Sequence, residues 1–235
     1  MKQAIQNNCT ALLLAAGNGA RLQQDRPKAL VLLARKPLFL WSLGVLQAWC
    51  KKIVLVVPKD FVNLFDGICQ QLEQPIVIAT GGKERWQSSL CGLEHVQTEF
   101  VLVHDSARPF ITVELCCRIF AAAERSGGAI PAVNVVDTIK RVDAGGNVIQ
   151  TLDRSQLKSI QTPQIFQTNL LKRALDHQDK HPQPNITDDA SVIESIYPNL
   201  SIQCVDGEEN NRKITTPDDL NWAEWHVHQH PGTAS

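Results

Sequence analysis

A glycine-containing loop that carries its own positive charge follows the first apolar run of the chain. After residues 11–14 the sequence continues as AAGNGARLQQDRPK, with two glycines among small side chains and cations. Glycine lets backbone amides approach a ligand closely, and Lys and Arg attract phosphate, so this composition indicates a triphosphate-binding loop. The residues expected to contact the phosphates are Ala15, Ala16, Gly17, Gly19, Arg21 and Lys28. A tight strand-to-helix turn is the alternative for the glycines.

The loop differs from two common phosphate-binding motifs. Leu22 occupies the third glycine position of the dinucleotide fingerprint GxGxxG, and the loop lacks the GxxxxGK[ST] spacing of a P-loop. It therefore predicts nucleotide binding of another kind.

Two glycines and a hydroxyl follow a later apolar run. Gly81 and Gly82 come soon after residues 76–79, and Ser88 lies near the start of the next helical segment. Open backbone and a nearby hydroxyl suit recognition of the edge of a pyrimidine base. A glycine turn with a hydroxyl at a helix N-terminus is the alternative interpretation.

A histidine, an aspartate and a serine in sequence end the run at residues 100–103. Adjacent residues of a strand point to opposite faces, so His104, Asp105 and Ser106 cannot form a hydrolase triad. We expect Asp105 to accept hydrogen bonds from hydroxyls of a ligand, with Arg108 completing the pocket. His104 is predicted to pack beside the site as a polar residue rather than to act as a base.

Short apolar runs alternate with longer segments of helical periodicity. Runs rich in Val, Ile and Leu, typical of strands buried on both faces, occur at residues 11–14, 53–57, 76–79, 100–103 and 129–133. Helix-like spacing of apolar residues lies between them, for example at 38–49 and 61–72. This alternation predicts a single α/β domain over residues 1–235, a doubly wound, mostly parallel, Rossmann-like sheet. Ligands of such sheets gather at the carboxyl ends of the strands.

One segment breaks this pattern. Residues 134–154 alternate polar and β-branched side chains around the sequence DAGGN, which predicts a β-hairpin with a glycine-rich turn. A hairpin projecting from an α/β domain is a candidate dimerisation arm.

The overall composition excludes several classes of function. With 23 basic and 24 acidic side chains the net charge is −1, so we expect no binding to nucleic acid or to a membrane surface. The N-terminus lacks a signal peptide, and no apolar stretch is long enough to span a bilayer, which predicts a cytoplasmic protein.

The seven cysteines include no CxxC pair and are expected to be reduced core residues. His226, His228 and His230 lie near the chain terminus, and we expect no metal ligands among the side chains.

An ordered set of motifs resembles one family. The segment AAGNGARLQQDRPKAL is similar to the signature loop of nucleotidyltransferases that activate sugar and polyol phosphates. GGKER with Ser88, VHDSARP and DTIKR then follow in the order and spacing of 2-C-methyl-D-erythritol 4-phosphate cytidylyltransferases. TPQ, ITDDA and KIT continue the match, which spans roughly residues 10–225.

The resemblance implies a reaction. The enzyme would transfer CMP from CTP to 2-C-methyl-D-erythritol 4-phosphate, giving 4-diphosphocytidyl-2-C-methyl-D-erythritol and pyrophosphate for isoprenoid precursors by the non-mevalonate pathway. In-line attack of the acceptor phosphate on the α-phosphorus needs cations and positioning rather than a protein nucleophile. Arg21 and Lys28 would be the catalytic residues. Mg²⁺ would be held mainly by the CTP phosphates.

The resemblance also implies binding roles. CTP would contact Ala15, Ala16, Gly17, Gly19, Gly82, Ser88, Asp105 and Ser106. The acceptor would contact Asp105, Arg108, Thr138, Arg154, Thr162 and Lys213. Thr138 and Lys213 would act within their own subunit, whereas Arg154 would reach the site of the neighbouring subunit in a homodimer of interlocking arms. Lys83 stands where many relatives carry an acid, which leaves its part in base selection open.

Two alternatives remain at this point. A cytidylyltransferase for another polyol phosphate, such as ribitol 5-phosphate, would share the same loop chemistry. A non-catalytic nucleotide-binding regulator could use the same fold, although the presence of both Arg21 and Lys28 argues against it.

Overall fold

The computed structural model of the chain describes residues 7–17 and 26–230. The strands in this part of the chain are β1 Cys9–Leu14, β2 Leu32–Leu33, β3 Lys36–Pro37, β4 Lys52–Val57, β5 Val77–Thr80, β6 Phe100–Asp105, β7 Gly128–Asn134, β8 Lys140–Val142, β9 Val148–Thr151, β10 Lys158–Ile160, β11 Gln164–Gln167 and β12 Gln203–Asp206. Eight of them form one sheet in the order β10-β7-β11-β6-β1-β4-β5, with β12 beside β7. The pairs β2–β3 and β8–β9 form two small separate sheets.

Parallel pairing forms the half of the sheet from β6 to β5. β1 pairs parallel with β4 and β6, and β4 pairs parallel with β5. β11 lies antiparallel between β6 and β7, while β7 also pairs with β10 and β12. The five predicted apolar runs correspond to β1, β4, β5, β6 and β7, which confirms the α/β prediction. The short strands β10 to β12, which lack a long apolar run, were not predicted.

Helices cover both faces of the sheet. They are α1 Leu38–Trp49, α2 Val62–Cys69, α3 Arg85–Leu93, α4 Val113–Ser126, α5 Thr168–Lys180, α6 Asp189–Ile196 and α7 Pro217–Gln229. Leu13 of β1 belongs to a buried cluster with residues of α1, α2 and α4, whereas its neighbour Leu12 belongs to a cluster with residues of α3, α5 and α6. Because neighbouring strand residues point to opposite faces, a continuous apolar run such as β1 is buried on both.

A third, smaller cluster fixes the last helix. Leu33 of the β2–β3 pair, Phe110 and Ile214 pack together with residues of α7. The ring of His226 lies 4.7 Å from that of Phe110 and is stacked 5.2 Å from Trp222. His226 is therefore a packing residue of this cluster.

The predicted hairpin is present. β8 and β9 pair antiparallel apart from the main sheet, and their residues are exposed. Asp143 Oδ1 accepts hydrogen bonds from the amides of Gly145 and Asn147, and Gly146 has φ 82°, a backbone conformation that favours glycine. The excursion from the sheet ends at β10, where Lys158 pairs with Asn134 of β7.

All seven cysteines carry free thiols. Cys9, Cys50, Cys69 and Cys116 are buried, Cys91 and Cys117 are partly buried, and Cys204 is exposed. Expecting every cysteine in the core was therefore wrong for Cys204, because its strand β12 lies off the main path of the sheet and presents this side chain to solvent. Within the described residues, no helix has the length and apolarity needed to cross a membrane.

Candidate functional site

The register of the parallel strands brings the predicted motifs to one edge of the sheet. Leu14 at the end of β1 lies opposite both Asp105 of β6 and Val56 of β4, and Val57 lies opposite Thr80. The three segments that follow these strands are tied by backbone hydrogen bonds: Ala15 N donates to Val56 O, and Ser106 N donates to Leu14 O. The carboxyl ends of β1, β5 and β6 thus form one platform, as expected for this class of sheet.

A cleft of about 390 Å³ opens above this platform. Its walls contain most of the CTP-binding residues predicted from the sequence within the described ranges. They are Leu14, Ala15, Ala16, Gly17, Lys28, Ala29, Gly82, Lys83, Glu84, Arg85, Ser88, Asp105, Ser106, Ala107, Lys213 and Thr215. Gly19 and Arg21 lie outside the described residues.

Lys28 begins a short 3-10 helix, Lys28–Leu30, on the wall of the cleft. Its amide donates to the carbonyl of Gly17 at 3.4 Å, which joins Lys28 to the segment that follows β1. Ala29 and Leu30, which follow Lys28, are buried in the core. The backbone of Lys28 is therefore fixed at the wall of the cleft.

Glycine is sterically required at the second wall. A Cβ atom on Gly81 would lie 2.5 Å from Cβ of Ala16 and 2.8 Å from Oγ of Ser88. A Cβ atom on Gly82 would lie 2.4 Å from Cβ of Gln87. The backbone at Gly81 consequently packs directly on Ala16, just after the end of β1.

A capping box holds the helix that carries Ser88. The side chain of Glu84 caps α3, and Glu84 N donates to Oε1 of Gln87 at 2.9 Å. Such reciprocal bonds satisfy amides at a helix start. Ser88 is buried, and its hydroxyl donates to the carbonyl of Glu84 at 3.3 Å. Lys83, by contrast, is exposed on the rim of the cleft.

Charged residues from four segments meet at Asp105. Its Oδ1 lies 3.0 Å from Nε of Arg85, and its Oδ2 lies 2.6 Å from Nζ of Lys213. Nη1 of Arg85 extends the network to Oδ2 of Asp189 at 2.6 Å. A second cavity of about 210 Å³ adjoins this network and shares Arg85, Asp105 and Lys213 with the cleft. Its further walls are Arg108, Ile160, Gln161, Thr162, Gln164, Thr187 and Asp188.

The ion pairs set the charge states of this network. Burial alone would raise the pKa of Asp105, but the neighbouring charges of Arg85 and Lys213 outweigh it and hold that pKa well below its usual range. Burial likewise would lower the pKa of Arg85, and the carboxylates of Asp105 and Asp189 raise it instead. Asp105 is therefore an anion that can only accept hydrogen bonds.

A chain of hydrogen bonds orients the backbone behind Asp105. The amide of Asp105 donates to Oγ1 of Thr162 at 3.1 Å, and Thr162 Oγ1 lies 3.0 Å from Nδ1 of His104. Nε2 of His104 lies 3.0 Å from the carbonyl of Arg108, so it must carry the proton and donate. Burial lowers the pKa of His104 to about 4, which leaves the ring neutral with Nδ1 as the acceptor. His104 thus packs beside the site as a buried, neutral side chain, in agreement with the sequence-based expectation.

Arg108 presents positive charge to the second cavity, and no carboxylate of the described residues pairs with it. Nη1 donates to the carbonyl of Asn211 at 2.8 Å and Nη2 to that of Ile160 at 3.4 Å, while the buried Nε has no partner in the described part of the chain. Burial lowers the pKa of Arg108, and the charge of Asp105 opposes this effect. A guanidinium held only by carbonyls keeps its charge available to an anionic ligand.

Two predicted acceptor residues lie elsewhere in the single chain. Thr138 is exposed and Arg154 starts a short 3-10 helix, and neither lines the two cavities. Nη1 of Arg154 donates to the carbonyl of Val136. The prediction that Thr138 contacts the acceptor within its own subunit has no support from this arrangement.

Several site residues were missed by sequence reasoning. Arg85 lies in the segment GGKER, and Asp188 and Asp189 lie in ITDDA, but no role was predicted for them. Asn211 is fully buried, and its Nδ2 donates to the carbonyl of Thr162 at 2.8 Å. The signal for Arg85 and Asp189 was their place within the matching motifs. Asn211 had no such signal, since its contacts depend on a turn that only the fold reveals.

The described residues provide no group of three or more His, Cys, Asp or Glu side chains suited to a metal ion. In the cleft, both oxygens of Asp105 are engaged by cations, and Glu84 caps a helix. The donor set therefore fits a metal ion that arrives with a ligand and takes most of its oxygens from that ligand.

Comparison with known proteins assigns the chain to a family. The family model described as 2-C-methyl-D-erythritol 4-phosphate cytidylyltransferase matches residues 9–229. The enzyme of that name from Bacillus thuringiensis is 36% identical over 225 residues, covering 93% of this chain and 97% of the relative. The one from Bacillus velezensis is 39% identical over 216 residues, covering 89% and 91%.

Solved structures agree with this assignment. The crystal structure of 4-diphosphocytidyl-2C-methyl-D-erythritol synthase from Anaerococcus prevotii superposes with TM-score 0.83 at 27% identity, covering 94% of this chain and 98% of that one. The 2-C-methyl-D-erythritol 4-phosphate cytidylyltransferase from Thermus thermophilus has TM-score 0.75 at 29% identity, covering 93% and 98%. Together with the charged cleft and its glycine walls, these matches show that the chain belongs to the 2-C-methyl-D-erythritol 4-phosphate cytidylyltransferase family.

Proposed function

We propose that the chain transfers CMP from CTP to 2-C-methyl-D-erythritol 4-phosphate, with CTP in the cleft and the acceptor in the adjoining cavity. The observation that carries this proposal is that the two spaces meet at Asp105, Arg85 and Lys213. A transferase must hold donor and acceptor side by side, and a shared wall of opposite charges suits two anionic partners.

CTP is held by the two glycine segments. The residues after β1, from Ala15 to Gly17, lie beside Lys28 and face the triphosphate, with Gly19 and Arg21 of the same loop expected to join them. The backbone near Gly82 and the Ser88 hydroxyl recognise cytosine, and Ser106 lies near the ribose. Support comes from the buried, clamped position of Ser88 against Gly81.

The acceptor is held by a mixed set of charges. Arg108 and Lys213 attract its phosphate, and Asp105 accepts hydrogen bonds from its hydroxyls, with Thr162 beside it. Because the pKa of Asp105 lies far below neutrality, this carboxylate stays ionised at working pH. A carboxylate among cations distinguishes a polyol phosphate from a bare anion.

The chemistry is an in-line displacement. An oxygen of the acceptor phosphate attacks the α-phosphorus of CTP, the bond from the α-phosphorus to the bridging oxygen breaks, and pyrophosphate leaves. Lys28 and Arg21 stabilise the charge that develops on the α-phosphoryl oxygens and the leaving group. No side chain forms a covalent bond to the substrate.

Mg²⁺ is proposed as the cofactor. When bound with the nucleotide, it neutralises phosphate charge and favours the reactive geometry. The engaged carboxylates near the cleft fit a cation that is held mainly by CTP.

A homodimer is proposed through the hairpin of β8 and β9. Val136, Val142, Val148 and Ile149 on and before this hairpin are more than half exposed, at 51–76%. Apolar side chains on a two-stranded ribbon gain stability by packing on a partner. Arg154, which lines neither cavity of its own chain, would then reach the partner's site. A cytoplasmic location stays an expectation from the sequence.

Pyrophosphate release from CTP tests this function. The purified protein is assayed with 2-C-methyl-D-erythritol 4-phosphate, ribitol 5-phosphate or no acceptor, with and without Mg²⁺. We expect pyrophosphate release only when 2-C-methyl-D-erythritol 4-phosphate and Mg²⁺ are both present. Release with ribitol 5-phosphate instead would favour the other polyol cytidylyltransferase, and CTP binding without release would indicate a regulator.

A further inference from the structure

We infer that Asp189 is a positioning residue that acts through Arg85 to hold Asp105 in place for the acceptor. This inference rests on the function proposed above. The path is short: Asp189 Oδ2 to Arg85 Nη1 is 2.6 Å, and Arg85 Nε to Asp105 Oδ1 is 3.0 Å. Asp189 itself lines neither cavity, so it acts through Arg85 rather than by touching a ligand.

The geometry of Arg85 differs from that of a pair built for stability. An arginine paired for strength makes two parallel bonds to one carboxylate. Arg85 instead gives one bond to each of two carboxylates, and among residues 7–17 and 26–230 its buried Nη2 and the buried Oδ1 of Asp189 have no hydrogen-bond partner. Unsatisfied buried polar atoms are costly, so an arrangement that keeps them indicates a requirement other than stability. The requirement is that Nε of Arg85 points towards Oδ1 of Asp105.

The two cations that pair with Asp105 differ in how firmly their side chains are held. The side chain of Lys213 is 40% exposed and pairs with one carboxylate among the residues that the structure describes. The side chain of Arg85 is 25% exposed and also pairs with the fully buried Asp189. An incoming phosphate can therefore draw Lys213 away from Asp105 Oδ2 and leave that oxygen for a hydroxyl. Asp105 keeps its orientation during this exchange because Arg85 remains on Oδ1.

The backbone of Asp189 is itself fixed. It is the first residue of α6, and the Asp188 side chain caps that helix through Ser191 N at 2.9 Å. The next amide, of Ala190, donates to Oε1 of the buried Gln164 at 3.2 Å. Asp189, which holds Arg85, therefore lies at a capped helix start that is hydrogen-bonded to β11.

The test compares two variants of the same helix start. Asp189→Asn keeps the size of the side chain and removes its charge. Ser191→Ala removes the reciprocal hydroxyl of the capping box, which accepts from Asp188 N, and leaves Arg85 untouched. Steady-state pyrophosphate release gives KM for each substrate, and thermal unfolding gives stability. We expect KM for 2-C-methyl-D-erythritol 4-phosphate to rise about fivefold or more in Asp189→Asn, with KM for CTP within about twofold. Ser191→Ala should lower only thermal stability.

A second variant covers the case in which Asp189→Asn does not fold. Arg85→Lys keeps the charge, but one ammonium cannot hold two carboxylates in the fixed directions of a guanidinium fork. The same selective rise in acceptor KM is expected. An unchanged acceptor KM, or an equal rise in Ser191→Ala, overturns the inference while wild-type activity stands. A wild-type protein inactive toward this acceptor would overturn the proposed function, and the inference with it.

Discussion

Nζ of Lys213 lies 2.6 Å from Oδ2 of Asp105, although 108 positions separate the two residues along the chain. Both residues line the second cavity. The contact also contributes to stability, because Lys213 helps to lower the pKa of Asp105 against the opposing effect of burial.

Removal of this ammonium should give a pH-dependent loss of stability. Asp105 has a lower pKa in the folded than in the unfolded chain, so its contribution is complete above the unfolded value of about 3.9 and is lost as pH falls towards the folded value. We expect Lys213→Gln to lower the free energy of unfolding at pH 7 by about 1 kcal/mol, since the lysine is partly screened by solvent. Urea unfolding at several pH values should show this difference shrinking below about pH 4. Lys172→Gln, which removes an exposed pair with Asp176, is the control and should change little.

Lys28 is predicted to act chiefly in the transition state. Its ammonium group belongs to the wall of the nucleotide cleft, where charge develops during transfer. Lys28→Ala should lower kcat about 100-fold or more while the dissociation constant for CTP changes less than about tenfold. Calorimetry and turnover measurements separate the two, with exposed Lys51→Ala as the control. Normal kcat with only a raised KM would contradict this role.

Lys83 is predicted not to select the base. Its side chain is exposed at the rim, whereas Ser88 is buried beside Gly81. Lys83→Ala should therefore leave the ratio of kcat/KM for CTP and UTP within about threefold of wild type. Ser88→Ala is the matched variant expected to reduce that ratio. A collapse of the preference in Lys83→Ala would assign base reading to the lysine.

His104 should make the protein sensitive to mild acid. Burial lowers its pKa to about 4 in the folded chain, so the unfolded chain binds more protons between about pH 6.5 and 4. Stability should accordingly fall by up to about 3 kcal/mol as pH drops through this range, and level off below it. In His104→Gln the fall should be much smaller, whereas the exposed His95→Gln should retain it. Equal slopes in all three proteins would show that His104 does not control acid stability.

Arg154 is predicted to complete the partner's site. Arg154→Ala and Lys28→Ala chains, each inactive alone, should regain about a quarter of wild-type activity per site when co-refolded, because mixed dimers contain one intact site. Size-exclusion chromatography and tagged purification establish that mixed dimers form. If mixed dimers form and stay inactive, Arg154 does not act across an interface.

The sheet and part of the site could be predicted because their signals are local. The apolar runs 11–14, 76–79 and 100–103 correspond to β1, β5 and β6, and residues that follow these strands line the cleft. The antiparallel strands escaped prediction because β10 has three residues and β11 is flanked by polar positions. The ion pair between Arg85 and Asp189 escaped prediction for a different reason. Arg85 and Asp189 are 104 positions apart, and only the packed fold brings their charges together.

The base of the hairpin has a consequence for how this architecture can change. Asn134 and Lys158 are direct antiparallel neighbours on β7 and β10, and Nζ of Lys158 donates to Oδ1 of Asn134 at 2.6 Å. The whole excursion between them therefore leaves and rejoins the sheet at one point, as a tight turn would. Changes of length at the exposed turn of the hairpin are therefore expected to leave the strand order of the sheet intact. The turn can vary among relatives without displacing either Arg154 or the strands that carry the two cavities.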